Sequence, residues 1–225
     1  GETPFVIAEV SGNHNGSLER ALEIIDAIAA SGAQAVKFQT YTADTITIDA
    51  PGPRFRIRSG HDLWGGRSLH ELYAEAHTPW EWHAPMFERA RERGLVAFSS
   101  PFDPTAIELL ESLDCPVYKI ASAELVDLPL IREVAATGKP MIISSGMATL
   151  GEIDAALGAA REGGCRELVL LACTASYPAD PADARLLSIP TLQDAFGIPI
   201  GLSDHTAGIG VSVAAVALGA VAVEK

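Results

Sequence analysis

Short apolar runs alternate with longer amphipathic, alanine-rich stretches along almost the whole chain. Each apolar run has the length of a strand, and each amphipathic stretch is long enough for a helix. Strands that alternate with helices form a parallel sheet, because each helix has to return the chain to the end where the previous strand began. The pattern therefore predicts an α/β protein built on a parallel sheet.

Eight strands can be placed, which is the number in a (β/α)8 barrel, or TIM barrel. The predicted strands lie near 5–9, 34–39, 95–99, 116–120, 140–144, 167–172, 198–202 and 221–224. The predicted helices lie near 17–31, 68–77, 80–94, 104–113, 127–137, 149–162, 187–196 and 208–219. Because the sequence stops on the eighth strand, we expect residues 1–225 to form one barrel domain of a longer protein, truncated before its closing helix. Such a barrel would have an apolar groove where that helix packs.

Residues able to take part in chemistry lie at or just after the ends of the predicted strands. A TIM barrel builds its active site at the C-terminal ends of its strands, so these residues are expected to meet at one face. This distribution predicts an enzyme. The candidates are Glu9, Lys37, Gln39, Ser100, Lys119, Ser122, Glu124, Ser144, Tyr177, Ser203, His205 and Glu224.

One long stretch, from Thr42 to Arg67, shows no helix or strand pattern. It follows the second predicted strand and therefore belongs to the predicted active-site face. Irregular segments of this length in a compact domain are usually functional or mobile. Further on, His83 is expected at the surface.

Composition and charge narrow the class of protein. With 48% hydrophobic residues, a mean hydropathy of +0.20 and no apolar run near the roughly 20 residues of a membrane span, the chain is expected to be soluble. The net charge of −13 argues against binding to nucleic acid, which requires a basic surface. Three scattered cysteines and the absence of a signal-peptide pattern favour a reducing, cytoplasmic location.

Two lysines, Lys37 and Lys119, lie inside otherwise apolar strand runs. Lysine is rarely buried without a partner, so each could form a structural ion pair with a neighbouring carboxylate. Two such lysines at the same end of one barrel favour a second interpretation, in which both bind an anionic ligand. An acidic surface around a small cationic pocket is compatible with this interpretation.

Seven motifs occur in a fixed order along the chain: FVIAEVSGNHNGS, AVKFQTY, FSSPFD, YKIASAE, ISSGMAT, GLSDHT and VEK. Together they resemble the sialic acid synthase family, whose members condense phosphoenolpyruvate with an amino sugar to form nonulosonic acids. Within that family, the stretch DLWGGRSLHELYAEAHTPWEWH at 62–83 is most similar to the pseudaminic acid synthases.

The resemblance implies roles for most of the candidates. Phosphoenolpyruvate carries a phosphate and a carboxylate, so its site needs cations and hydrogen-bond donors. By resemblance, Lys37 and Lys119 bind these anions, and Tyr177 contacts the sugar or the phosphate. Gln39 is a further possible donor, and Glu124 is a secondary candidate. The hydroxyls implied around the phosphate and carboxylate are those of Ser100, Ser122, Ser144 and Ser203.

The resemblance also implies a divalent metal, Mn²⁺ or Mg²⁺, that polarises the aldehyde of the sugar. His205 matches one of two histidine ligands of the family, and the second would follow Lys225. Glu9 and Glu224 match glutamates near the reacting carbons, and either could accept a proton. Because the site keeps only one histidine, we expect it to hold a metal weakly.

The implied reaction joins phosphoenolpyruvate to a 2,4-diacetamido-2,4,6-trideoxyhexose of the altrose type, and phosphate leaves with cleavage of its C–O bond. Alternatives are N-acetylneuraminate or legionaminate synthesis, a Schiff-base aldolase with Lys119 as nucleophile, and a non-catalytic sugar-binding or oligomerisation module. The family's full-length enzymes carry a C-terminal antifreeze-like domain, which the 225 residues lack, and form domain-swapped dimers. By resemblance, the full-length protein is expected to be a homodimer.

Overall fold

The fold is a closed barrel of eight parallel strands, seen in a computed structural model that describes residues 3–57 and 65–225. Each strand pairs with the next one in the sequence, and β1 pairs with β8. The predicted TIM barrel is therefore confirmed. The strands are β1 (Phe5–Glu9), β2 (Ala35–Thr40), β3 (Val96–Pro101), β4 (Tyr118–Ile120), β5 (Met141–Ser144), β6 (Leu168–Cys173), β7 (Ile200–Ser203) and β8 (Ala222–Glu224).

Helices connect the strands and surround the barrel. They are α1 (Leu18–Ser31), α2 (Ala43–Ile46), α3 (Leu69–Ala76), α4 (Trp80–Glu92), α5 (Pro104–Ser112), α6 (Leu128–Ala136), α7 (Leu150–Glu162), α8 (Ser188–Phe196) and α9 (Gly210–Ala217). The ends of all predicted strands and helices lie within two residues of those observed. The buried apolar residues form one core that fills the barrel and the layer between strands and helices.

The stretch 42–67 is more ordered than its sequence indicated. Residues of its first part form α2, and Pro53–Phe55 form a turn of 3₁₀-helix. Thr42 begins α2 with a reciprocal cap, in which its backbone N–H donates to the hydroxyl of Thr45. Short polar side chains that cap a single turn do not produce a helical hydrophobic pattern, so the periodicity missed it. Part of the stretch, 58–64, lies outside the described residues.

An apolar groove of about 440 Å³ lies against β1, β8 and α9, on the outside of the barrel. Its lining includes Val6, Ile209, Val213, Val216 and Val223. The groove therefore lies beside the last strand, where the sequence predicted an uncovered face. Of the helices in the described part of the chain, none combines the length and the apolar character needed to cross a bilayer.

Candidate active site

A cavity of about 400 Å³ opens at the C-terminal ends of the strands. Its lining contains eleven of the twelve candidates named from the sequence, all except Ser100. The barrel register explains the convergence, because Glu9 lies beside Lys37 and Ser203 beside Glu224 on paired strands. The polar candidates on the lining are Glu9, Lys37, Gln39, Lys119, Ser122, Glu124, Ser144, Tyr177, Ser203, His205 and Glu224.

Lys37 is held between two carboxylates at the bottom of this cavity. Its Nζ lies 3.1 Å from Oε1 of Glu9 and 3.3 Å from Oε1 of Glu224. Burial alone would favour the neutral amine, but the carboxylates of Glu224 and Glu9 outweigh it and raise the pKa of Lys37. Gln39 orients the carboxylate of Glu9, since Nε2 of Gln39 donates to Oε1 of Glu9 over 2.7 Å. Lys37 is therefore a permanent cation on the cavity wall.

Lys119 has a different environment, although it shares a carboxylate with Lys37. Its Nζ donates to Oγ of Ser144 over 2.7 Å and lies 3.5 Å from Oε1 of Glu224. Burial lowers the pKa of Lys119, and the attraction of Glu224 is partly opposed by the charge of Lys37. The two lysines thus satisfy both interpretations of the sequence at once, because each is ion-paired and each lines the cavity.

Glu224 connects the two lysines through a single oxygen. Its Oε1 also accepts a hydrogen bond from the hydroxyl of Ser203 at 3.1 Å. Burial opposes ionisation, but the charges of Lys119 and Lys37 outweigh it, and the pKa of Glu224 is well below its usual range. The other oxygen, Oε2, is buried and has no hydrogen-bond partner among the described residues. A buried carboxylate oxygen without a partner is rare and is a place where a ligand would bind.

His205 presents one ring nitrogen to the cavity. Its Nδ1 lies 2.9 Å from the carbonyl oxygen of Thr174, which can only accept, so Nδ1 carries the proton. In the neutral ring Nε2, 3.4 Å from Oγ of Ser203, would carry the lone pair. Burial opposes protonation, but the Cys173 thiol and the carbonyl oxygen of Thr174 outweigh it and raise the pKa of His205. The ring of Tyr177 covers the imidazole, with ring centroids 4.0 Å apart, and is itself 76% exposed at the mouth. The predicted metal ligand and the predicted sugar contact are therefore neighbours.

Two of the predicted serines are placed differently from the rest. Ser122 lines the cavity, but its Oγ accepts a hydrogen bond from the backbone N–H of Gly146 over 3.1 Å. Ser100 is buried in register with Gln39 and does not line the cavity. Its hydroxyl has no hydrogen-bond partner among the described residues, so Ser100 lies beside the site with its polar group unused.

Eight further residues line the cavity within the described part of the chain, and those not assigned to it from the sequence include Ile46, Tyr73, Phe102 and Cys173. Tyr73 lies in the 62–83 stretch that carries the resemblance to pseudaminic acid synthases, and Phe102 lies in the FSSPFD motif. Those motifs were the available indication. Cys173 ends β6, where apolar neighbours made it look like a core residue.

His83 is buried instead of lying at the surface, with none of its area exposed. Its Nε2 lies 2.9 Å from Oγ1 of Thr40, which also contacts Oγ of Ser99 at 2.7 Å. This chain of side chains attaches α4 to the outer faces of β2 and β3. The sequence analysis assigned the polar residues of these strands to the cavity and did not anticipate a buried histidine that pairs with Thr40 on the outer face.

The side chains partly fit the divalent metal that the resemblance implies. Nε2 of His205 and Oε2 of Glu224 are a nitrogen and an oxygen without an assigned proton or ion-pair partner. Within 3–57 and 65–225, no group of three or more histidine, cysteine, aspartate or glutamate side chains could hold a metal ion. The chain itself therefore offers a site of few ligands, which fits an exchangeable ion completed by water or substrate.

Comparisons with known proteins show the family to which the chain is related. The NeuB family model matches residues 24–225. The chain is 47% identical to a pseudaminic acid synthase of Helicobacter pylori over 224 residues, which are 100% of this chain and 65% of the relative. It is 44% identical to a pseudaminic acid synthase of Campylobacter jejuni, covering 98% of this chain and 64% of the relative. The chain thus spans slightly less than two thirds of the length of these relatives.

A solved structure shows the same fold over the whole chain. An N-acetylneuraminic acid synthetase from Leptospira borgpetersenii, in complex with citrate, superposes with a TM-score of 0.86 at 33% identity. The match covers 100% of this chain and 73% of that structure. At this identity the likeness extends beyond the general barrel architecture.

Proposed function

This chain belongs to the NeuB family, and from that premise we propose that the full-length protein is a pseudaminic acid synthase. It would condense phosphoenolpyruvate with a 2,4-diacetamido-2,4,6-trideoxyhexose of the altrose type and release phosphate. The observation that carries the proposal is the pair of buried lysines, Lys37 and Lys119, on the wall of one cavity. The relatives named pseudaminic acid synthase, at 44–47% identity, support the choice of sugar.

Binding of phosphoenolpyruvate follows from the charges and hydroxyls of the cavity. Its phosphate and carboxylate need cationic donors, which Lys37 and Lys119 supply with the hydroxyls of Ser144 and Ser203. The ligand would compete with Glu9 and Glu224 for the two lysines. Tyr177 and His205, at the mouth, would face the amino sugar.

In the reaction, C3 of phosphoenolpyruvate forms a bond to the aldehyde carbon of the sugar, and water adds to C2. The C–O bond to phosphate then breaks, and a 2-keto acid remains. Glu224 is a poor base because Lys119 and Lys37 hold its pKa low, so we assign it to electrostatic stabilisation of positive charge at C2. Glu9, which is ordered by Gln39, is then the proton acceptor.

The metal remains part of the proposal. A divalent ion at Nε2 of His205 and Oε2 of Glu224, Mn²⁺ or Mg²⁺, would polarise the carbonyl of the sugar. The further elements of the proposal are a cytoplasmic location and a homodimer of the full-length protein. The homodimer rests on the resemblance of the sequence to its family, and the location rests on the three scattered cysteines.

The proposal is tested by incubating the full-length protein with Mn²⁺, phosphoenolpyruvate and a panel of sugars. Phosphate release is expected with the 2,4-diacetamido-2,4,6-trideoxy sugar of altrose type and to be slower with its legionaminate-type stereoisomer and with N-acetylmannosamine. With ¹⁸O in the bridging C–O–P position, the label is expected in the phosphate. Label retained in the keto acid would contradict the mechanism, and preference for another sugar would contradict the assigned substrate.

One observation supports a second candidate, a Schiff-base aldolase. Burial lowers the pKa of Lys119, which favours the neutral amine that forms an imine with a keto acid. Treatment with pyruvate and borohydride would then add mass at Lys119. We expect no such adduct, because the amine donates to Ser144 and lies beside Glu224.

A further inference from the structure

The cavity has an apolar side that the proposed chemistry does not use. Ile46, Tyr73 and Phe102 line it on the side of β2 and β3, away from His205 on the loop after β7. Strands three and seven lie across from each other in an eight-stranded closed barrel. The three side chains, called the apolar wall below, therefore face the mouth from the side opposite the predicted metal ligand.

The apolar wall is rigidly supported from behind. The ring of Tyr41, which is buried, contacts the rings of both Tyr73 and Phe102, with centroids 5.6 Å and 5.4 Å away. The carbonyl oxygen of Tyr41 accepts a hydrogen bond from the indole of Trp80. Both aromatic contacts are edge-on, the arrangement that aromatic pairs prefer. The shape of the wall is thus fixed before any ligand enters.

The surroundings of the wall offer little to a hydroxyl group. Ile46 and Phe102 have no polar side-chain atoms, and Tyr73 contributes one phenolic hydroxyl at the end of its ring. A sugar hydroxyl placed against Ile46 and Phe102 would lose hydrogen bonds to water without replacing them. A methyl group at the same place would instead gain apolar contact.

Phosphoenolpyruvate does not account for this wall. Both of its charged ends need the lysines and hydroxyls, which lie on the strands themselves, whereas Ile46 and Tyr73 belong to the connection that follows β2. The second substrate must therefore occupy the outer part of the cavity. The proposed sugar differs from N-acetylmannosamine in its configuration and at two substituents: an acetamido group replaces the hydroxyl at C4, and a methyl group replaces the hydroxymethyl group on C5.

We propose that the apolar wall of Ile46, Tyr73 and Phe102 binds the C4–C6 end of the amino sugar and selects its deoxygenated, acylated form over a hydroxylated one. This inference rests on the proposed function. It gives Tyr73, which lies in the 62–83 stretch, a role in selecting the sugar. Of the described residues in that stretch, Tyr73 is the one that lines the cavity.

The chain offers a matched pair of isoleucines for the test. Ile46 lines the cavity, whereas Ile48, two residues later, is 66% exposed and does not. In the full-length protein, Ile46→Asn is expected to lower the ratio of kcat/KM for the diacetamido sugar over that for N-acetylmannosamine by roughly tenfold, as for a methyl group lost from an apolar pocket. Ile48→Asn is expected to keep the wild-type ratio, because Ile48 does not line the cavity.

The affinity for phosphoenolpyruvate, measured in each variant by titration calorimetry, is expected to stay within twofold of wild type and shows that the barrel and anion site are intact. Should Ile46→Asn lose that affinity through misfolding, Phe102→Leu is measured instead and is expected to lower the ratio by a smaller factor. An unchanged ratio in a variant that binds phosphoenolpyruvate normally would overturn the inference. A wild-type protein that condenses neither sugar would instead overturn the proposed function.

Discussion

Glu224 shows how much of the site depends on single side chains. One oxygen of this carboxylate holds the ammonium groups of Lys37 and Lys119, and the same oxygen accepts from Ser203. Removing one partner from a buried ion pair leaves an uncompensated charge, which usually costs about 3–5 kcal/mol. Glu224 therefore has a structural function in addition to any function in catalysis.

We expect Glu224→Gln to lower the free energy of unfolding by about 3 kcal/mol, because two buried lysines lose their shared counter-charge. Urea unfolding followed by circular dichroism measures the change. Glu124→Gln is the matched control, since Glu124 lines the same cavity without an ion pair among the described residues, and its effect is expected below about 1 kcal/mol. Equal effects of the two substitutions would show that the ion pairs do not stabilise the fold.

At the scale of the element, a glycine in a strand and a glycine in a helix differ in how close their neighbours lie. On β7, a Cβ added at Gly201 would lie 2.6 Å from Cδ2 of Leu171 and 2.7 Å from the carbonyl oxygen of Ala222. In α7, a Cβ added at Gly158 would meet nothing within 4 Å. The two glycines thus serve different purposes, because the first permits close approach of neighbouring strands and the second does not.

Alanine at these two positions is expected to change stability in opposite directions. Gly201→Ala should destabilise by about 1–3 kcal/mol, because the barrel must expand to admit a methyl group. Gly158→Ala should stabilise by about 0.5–1 kcal/mol, since alanine loses less conformational entropy than glycine in a helix. Thermal unfolding of both variants measures this, and a destabilised Gly158→Ala would show that α7 packs more closely than the structure indicates.

The strands and long helices could be predicted because periodicity and length define them well. Ser17 caps α1, accepting from the backbone N–H of Arg20. The helix α2 could not be predicted, because its four residues contain too few apolar positions for a pattern. The burial of His83 was also hidden, since its partner Thr40 lies on a strand distant in sequence. Contacts between polar residues that are far apart in the sequence produce no periodic hydrophobic pattern.

The candidate site, like the fold, could be predicted only in part. That Lys37 and Lys119 share one cavity could be predicted, because parallel strands bring their C-terminal ends to one face. That they also share Glu224 depends on the closing pair of strands, β1 with β8, and on side-chain geometry. The position of Ser100 could not be read from its motif, since Ser100 is paired with Gln39 on the same face of the sheet and still does not line the cavity.

At the scale of the whole molecule, the charge balance opposes an anionic substrate. The chain carries a net charge of −13, and the described residues that line the cavity include two lysines against three glutamates. The two lysines are neutralised by Glu9 and Glu224 before a ligand enters. Under the proposed function, phosphoenolpyruvate would therefore have to displace existing ion pairs, and an additional cation in the cavity would favour its entry.

We expect the full-length protein to bind phosphoenolpyruvate at least tenfold more tightly with Mn²⁺ than with a chelator, which corresponds to about 1.4 kcal/mol. Binding is measured at equal concentrations of free phosphoenolpyruvate, because the metal also complexes the ligand in solution. His205→Ala is expected to abolish the gain, since Nε2 of His205 is the nitrogen available to the ion. The control His70→Ala should retain it, because His70 pairs with Asp44 outside the cavity. If affinity is the same with the chelator, the two lysines alone overcome the surrounding negative charge. If His205→Ala keeps the gain, the metal site lies elsewhere.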